Sequence, residues 1–105
     1  MFIHEIDENS IEDTLNYIKH QKKINLIIYF DEFLNKNINY LWLYNRSFYS
    51  IKKHTNKIIC IGKRKHDFLF KLKLDNLNAH LCESIDEALK ITKNTNYNTH
   101  ILLSK

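Results

Sequence analysis

The sequence predicts a single α/β domain, in which helices pack on a mostly parallel sheet of four to five strands. Apolar, β-branched runs of strand length alternate along the chain with segments whose apolar residues recur at helical spacing. Residues 57–92 show this most clearly, since they read as strand, basic turn, helix, short strand and capped helix. A chain of 105 residues is long enough for one core and too short for two. Residues 1–105 are therefore expected to form one domain.

The first third of the chain predicts a strand, a helix and a central strand. The strand is marked by three apolar residues near the N-terminus, Phe2, Ile3 and Ile6. Asn9 or Ser10 can cap the following helix, with Glu12 or Asp13 at its third position. The helix has one apolar stripe at the spacing i, i+4, i+7, formed by Ile11, Leu15 and Ile18. The run 24–30 is almost unbroken and apolar, which is typical of a strand covered on both faces.

A second helix is predicted over about 39–54, after the polar stretch 35–39. Its buried side would consist of four apolar or aromatic residues, Leu41, Tyr44, Phe48 and Ile51. Its other side carries Trp42, Asn45, Arg46 and Lys53. The pattern therefore places an aromatic ring in an exposed or half-exposed position on this helix.

The second half predicts a strand at 57–61, and Gly62 supplies a permissive backbone at its end. Residues 67–74 are ambiguous, because their apolar side chains alternate as in a half-buried strand. A helix is favoured, since Asp67 can cap it and a helix would complete a right-handed crossover between parallel strands. A short edge strand at 79–82 follows.

The last clear helix begins after Ser84, because Glu87 stands three residues further on and completes a capping box. Its predicted buried residues are Ile85, Ala88, Leu89 and Thr92. Residues 101–103 either add a terminal strand or pack against the body of the domain.

Composition excludes several classes of function. The single glycine of the chain rules out glycine-rich loops of the Walker or dinucleotide-binding type. The net charge of +4 is modest and spread over the chain, so it is no footprint of nucleic-acid binding. Cys60 and Cys82 lie in apolar runs and are interpreted as buried thiols. With no long apolar run and no secretory signal, the protein is expected in the cytoplasm.

Four consecutive segments of the sequence resemble the second half of a STAS domain, the fold of the bacterial anti-sigma factor antagonists. They are the strand KIICIG, the helix end LKLDNLN, the strand HLCE and the helix SIDEALKI. The resemblance implies a protein–protein interaction module without catalysis. In that family a Ser or Thr at the head of the second helix is phosphorylated, and the added charge breaks partner binding. Here residues 36–39 offer no hydroxyl group, so the phosphoswitch is expected to be lost.

The resemblance also implies a partner-binding surface, because in the family this edge of the domain meets the partner. The predicted contact residues are Asn37, Asn39, Trp42, Arg46, Lys63 and Arg64. The implied partner is a kinase-like regulatory protein or another STAS-containing subunit, and a homodimer is an open alternative. No catalytic residue, cofactor or metal is predicted.

Two other functions stay open at this point. In a receiver-like domain Asp31 would accept a phosphoryl group, with Glu32 and Lys63 beside it and with Asp7 and Glu8 as the acidic pair. In a small RNA-binding protein the basic turn 63–66 would contact the phosphate backbone. A zinc site formed by Cys60, His80 and Cys82 is also chemically conceivable, although buried structural roles are favoured for these residues.

Overall fold

The computed structural model describes residues 2–31 and 40–104, and in this part five strands form one all-parallel sheet. The strands are β1 (Phe2–Ile6), β2 (Ile24–Tyr29), β3 (Thr55–Ile61), β4 (His80–Leu81) and β5 (Thr99–Ser104). The α-helices are α1 (Ile11–Lys19), α2 (Lys65–Leu74) and α3 (Ile85–Lys93). The predicted class, an α/β domain with helices on a parallel sheet, is confirmed.

The strands follow the order β1-β5-β2-β3-β4 across the sheet. The last strand therefore inserts between the first two, where it pairs with β1 on one side and β2 on the other. Of the two possibilities for residues 101–103, the strand is the correct one, and it is internal. The predicted short edge strand at 79–82 is also confirmed, as the two-residue β4.

Each face of the sheet carries its own core. One face, with Leu26, Ile28 and Cys60, is covered by α1, α2 and the segment between β2 and β3. The opposite face, with Ile27 and Ile59, is covered by α3. Successive strand residues point to opposite faces, so β2 needs apolar side chains at nearly every position. The prediction that this strand is covered on both faces is confirmed.

The predicted second helix over 39–54 is wrong. The described part of this segment contains two short 3-10 helices, Tyr40–Asn45 and Tyr49–His54. Between them, the backbone N–H of Phe48 donates to the Asp75 carboxylate at 2.9 Å. An amide used in this way cannot bond to the carbonyl four residues earlier, so a continuous α-helix is interrupted here.

Residues 67–74 form a helix, as favoured, and α2 begins two residues earlier, at Lys65. The helix ends in a Schellman motif: the N–H of Leu77 donates to the Leu72 carbonyl at 2.9 Å, and that of Asn76 to the Lys73 carbonyl at 3.0 Å. Asn76 adopts a positive φ of 63°. The predicted Ser84 cap of α3 is present, since the Ser84 hydroxyl accepts from the Glu87 N–H at 3.2 Å. The return bond of the predicted capping box is shifted by one residue, because Glu87 Oε2 accepts from the N–H of Glu83, at 3.2 Å.

A pair of histidines joins β1 to β5. His4 Nε2 and His100 Nδ1 lie 3.0 Å apart and the two rings are nearly parallel. The Phe2 ring stacks on His100, with 4.8 Å between ring centroids, and Tyr17 of α1 tilts against both imidazoles. Burial lowers the pKa of His4 below its usual value, and burial and the neighbouring His4 lower the pKa of His100.

These two histidines are expected to make folding pH-dependent. Because the pKa of each is lower in the folded chain than in the unfolded chain, the unfolded chain binds more protons around pH 6. The free energy of unfolding should be highest above pH 6.5, the approximate pKa of histidine in the unfolded chain. It should fall as the pH drops toward the lower pKa values that the two histidines have in the folded chain. Urea unfolding at neutral and mildly acidic pH measures this, and His4→Gln should reduce the pH dependence. His80→Gln, at an exposed histidine, is the control, and equal slopes in both variants would contradict the prediction.

Within residues 2–31 and 40–104, no helix is long and apolar enough to cross a membrane.

Candidate functional site

A crevice lies at the carboxyl ends of β2, β3 and β4. The chain leaves β3 for α2, which packs on one face of the sheet, and leaves β4 for α3, which packs on the other. Two neighbouring strands whose connections diverge in this way open a space between the loops. In parallel α/β sheets this is the position at which ligands bind.

The crevice encloses about 470 Å³. Its lining residues come from the ends of the three strands, the loops that follow them and the first turn of α2: Tyr29, Asp31, Gly62, Lys63, Lys65, His66 and Glu83. The side chains combine three basic groups, two carboxylates and one aromatic ring, which suits a polar ligand that carries charge.

Gly62 shapes the floor of the crevice. Its φ is +102°, and a Cβ added here would lie 2.8 Å from the carbonyl carbon of Phe30 and closer still to its oxygen. The turn is held against the end of β2 by two hydrogen bonds, from Phe30 N–H to the Ile61 carbonyl and from Arg64 N–H to the Phe30 carbonyl, both 2.9 Å. Only glycine allows this approach without strain.

The polar groups of the crevice are partly paired with each other. The Lys63 N–H donates to Asp31 Oδ1 at 3.2 Å, and the Asp31 N–H donates to the Ser104 hydroxyl at 3.3 Å. Lys65 Nζ donates to the Cys82 carbonyl at 3.2 Å and pairs with Glu83 Oε1 at 2.9 Å. Lys65 thus closes the β4 side, while the exposed side chains of Lys63 and His66 remain available to an incoming anionic group.

The predicted contact residues do not form one surface of the kind expected. Trp42 is only 6% exposed and belongs to the core, so the expectation of an exposed aromatic ring is wrong. The predicted outward side assumed one continuous helix over 39–54, and this segment does not form such a helix. Asn37 and Asn39 lie outside the described residues.

The other three predicted contact residues, Arg46, Lys63 and Arg64, lie in two different parts of the structure. Arg46 is half-buried, and its Nε lies 3.5 Å from Glu12 Oε1 of α1. Lys63 lines the crevice, whereas Arg64 beside it pairs with Asp67 at 2.6 Å. Whether any of them contacts a partner stays a prediction.

Sequence reasoning identified the basic turn and weighed Asp31 for a different chemistry, but it did not join them to Tyr29 and Glu83 in one site. The available signal was positional: each lining residue stands at or just after the end of an apolar run. Using it required the knowledge that β2, β3 and β4 are adjacent in the sheet.

The zinc trio that was chemically conceivable from the sequence, but not predicted, does not assemble. Cys60 belongs to the core on one face of the sheet and Cys82 to the core on the other, while His80 is exposed. Burial raises the pKa of the Cys60 thiol to about 12, which disfavours the thiolate that a metal needs. No group of three or more metal-ligating side chains occurs in the described structure.

The receiver-like arrangement also fails in space. Asp7 follows β1, and β5 separates β1 from β2, so Asp7 is not next to Asp31 at the sheet edge. The Asp7 Oδ1 atom instead accepts from the N–H groups of Asn9 and Ser10, at 2.9 and 2.8 Å, in the turn before α1. It therefore serves the start of a helix.

The fold and the crevice together define a doubly wound, parallel α/β domain that presents a charged site at its strand ends. The chain belongs to the MurT ligase C-terminal family, whose sequence profile matches residues 9–104. No curated protein matches the sequence.

This match corrects the expected identity and function. The STAS resemblance is wrong, because the family matched over nearly the whole chain is a different one. The function of a STAS-like regulatory module is wrong as well, and neither the receiver nor the RNA-binding alternative finds support. Strand–helix alternation and a capping box occur in many parallel α/β domains, so they indicated the fold class and not the family. The family consists of ligase domains, so the chain is related to part of an enzyme.

Proposed function

We propose that this chain serves as a substrate-binding domain of a ligase that acts on peptidoglycan precursors, and that it does not complete the reaction alone. The match to the MurT ligase C-terminal family over residues 9–104 is the observation that supports this most directly. A C-terminal ligase domain works together with further parts of the enzyme, in the same polypeptide or in a second subunit. We place it in the cytoplasm, where nucleoside triphosphates are available to drive ligation.

The crevice supplies binding groups for such a role. Lys63 and His66 are exposed cationic or ionisable side chains at its mouth, and Lys65 is fixed by Glu83. Phosphates and carboxylates, the anionic groups of ligase substrates, bind to clusters of this kind through charge-assisted hydrogen bonds. The two cysteines of the chain are buried, so neither is placed as a nucleophile. In this proposal the crevice binds and orients the substrate, and other parts of the ligase supply the remaining chemistry.

Backbone amide NMR of the labelled chain tests this proposal. Inorganic phosphate, ATP and a soluble muramoyl peptide would be added separately. At least one of them should shift the amides of residues 62–66 together with Asp31 and Glu83. Lys63→Ala should weaken that binding about tenfold, as expected for loss of one charge-assisted hydrogen bond. Lys93→Ala, an exposed lysine at the end of α3, is the matched control.

Two results would contradict the proposal. One is that none of the three compounds shifts these amides, or that the shifts are insensitive to Lys63→Ala. The other is ligase turnover by the purified chain alone, which would show that the domain needs no further part of an enzyme.

A further inference from the structure

Helix α2 is apolar on two opposite sides. Phe68 and Leu72 face the core and are almost fully buried. Phe70 and Leu74, which are four residues apart and therefore neighbours on a helix, are 55% and 56% exposed on the outer side. A helix with apolar residues on both sides is typical of a segment covered on both sides. Within the described structure, nothing covers the outer side.

The same feature explains why residues 67–74 resembled a strand in the sequence. The apolar residues alternate because two of them are buried and two are exposed. The buried side even includes a cation, Lys71, which is 5% exposed and pairs with Asp75. The chain thus places a lysine inward while two large apolar side chains face outward. Core packing does not account for Phe70 and Leu74.

A basic groove begins beside the outer side of α2, because Lys73, which lines the groove, is three residues from Phe70 and therefore its neighbour on the helix. It encloses about 340 Å³ and is lined by Tyr49, Lys52, Lys73, Asn76, Leu77 and Asn78. Tyr49 is 56% exposed, and Lys52 Nζ lies 5.7 Å from the centre of its ring. Among the described residues that line the groove, none carries a carboxylate. We call Phe70, Leu74, Lys73, Tyr49 and Lys52 the α2 surface.

We propose that the α2 surface docks an amphipathic α-helix of a protein partner, with an apolar stripe against Phe70 and Leu74 and acidic side chains against Lys52 and Lys73. The spacing of the apolar pair matches the i, i+4 anchors of helix-in-groove recognition. The charge of the groove selects the acidic flanks. This surface is distinct from the crevice and does not depend on the proposed ligase role.

A second copy of the chain fits the surface less well. A symmetric dimer places the same patch on both sides of the interface. Lys52 and Lys73 would then meet the lysines of the other copy without a carboxylate from the groove to balance them. Like charges brought together in this way oppose association.

The experiment uses a displayed library of helices of about 18 residues, long enough to be helical. Each helix has a fixed leucine stripe, and its flanking positions vary between Glu and Lys. Selection on the folded chain should enrich Glu at these positions. The best binder is then synthesised and titrated against Phe70→Ser/Leu74→Ser, which should bind at least about tenfold more weakly. Tyr97→Ser, at an exposed aromatic residue away from α2, should bind as the unaltered chain does.

A second variant tests the charges even if the serine variant folds poorly. Lys52→Glu/Lys73→Glu should lose the acidic helix and gain affinity for the same helix with lysine flanks. Enrichment of Lys, absence of any enriched helix, or binding insensitive to both variants would overturn the proposal. Self-association in sedimentation that Phe70→Ser/Leu74→Ser abolishes would also overturn the proposal, because a second copy of the chain, and not a helix of another protein, would then cover the surface.

Discussion

Replacement of Asp75 by alanine should destabilise the domain by about 3 to 5 kcal/mol, because it leaves a buried lysine without its partner. Asp75 Oδ2 lies 3.0 Å from Lys71 Nζ, and the two side chains are 6% and 13% exposed for Lys71 and Asp75 respectively. The same carboxylate accepts the Phe48 N–H. The substitution thus removes an ion pair and the bond that fixes the chain between the two 3-10 helices. The free energy of unfolding, from urea denaturation, measures the loss.

The matched control is Asp67→Ala. Asp67 also pairs with a basic residue, Arg64, but the two side chains are 45% and 37% exposed. An exposed pair contributes up to about 1 kcal/mol. Equal losses in the two variants would show that burial of the Lys71–Asp75 pair is not what makes Asp75 important. A partial recovery in Lys71→Met/Asp75→Ala, where no unpaired cation remains, would support the stated cause.

Replacement of Gly62 by alanine should cost about 3 kcal/mol and distort the crevice. The positive φ of 102° is strained for any residue with a Cβ. The added atom would also press on the Phe30 backbone, which is itself fixed by hydrogen bonds to the turn. A lowered unfolding midpoint, together with amide shifts at Asp31 and Lys63, would show both effects.

Asn76→Gly serves as the control for backbone conformation. Asn76 has a φ of 63° at the end of α2, where glycine is accommodated at least as well, so this variant should be close to neutral. If Gly62→Ala is also neutral, the turn after β3 does not need a glycine, and the close approach to Phe30 does not shape the crevice.

Local signals predicted most of the elements. The stripe of Ile11, Leu15 and Ile18 is buried on α1, and the Ser84 side chain caps the start of α3. These features depend on neighbours within a turn or two, so the sequence contains them completely. The predicted helix over 39–54 failed for the opposite reason. Its interruption depends on Asp75, which is 27 residues from Phe48 in the chain.

The candidate site was predicted in pieces. Lys63 and Asp31 were both singled out, but for a partner surface and for phosphoryl transfer, respectively. Their joint membership of a crevice with Glu83 follows from the adjacency of three strands. Trp42 was assigned to the wrong environment. The helical pattern predicted that its side chain is exposed, whereas the fold buries it.

The α/β class, the strands, the three α-helices and the Ser84 cap of α3 could be predicted from the sequence, because alternation, spacing and caps act over short distances. The caps predicted for α1 and α2 are wrong: the Ser10 side chain makes no capping hydrogen bond, and Asp67 lies inside α2, which begins at Lys65.

Three features follow from tertiary contacts. The strand β5 lies between β1 and β2, and the loops after β3 and β4 diverge around a charged crevice. On α2, Phe70 and Leu74 stay exposed while Lys71 is buried. These features depend on which distant residues meet. A periodic pattern specifies which side chains share a face, but not what that face will touch.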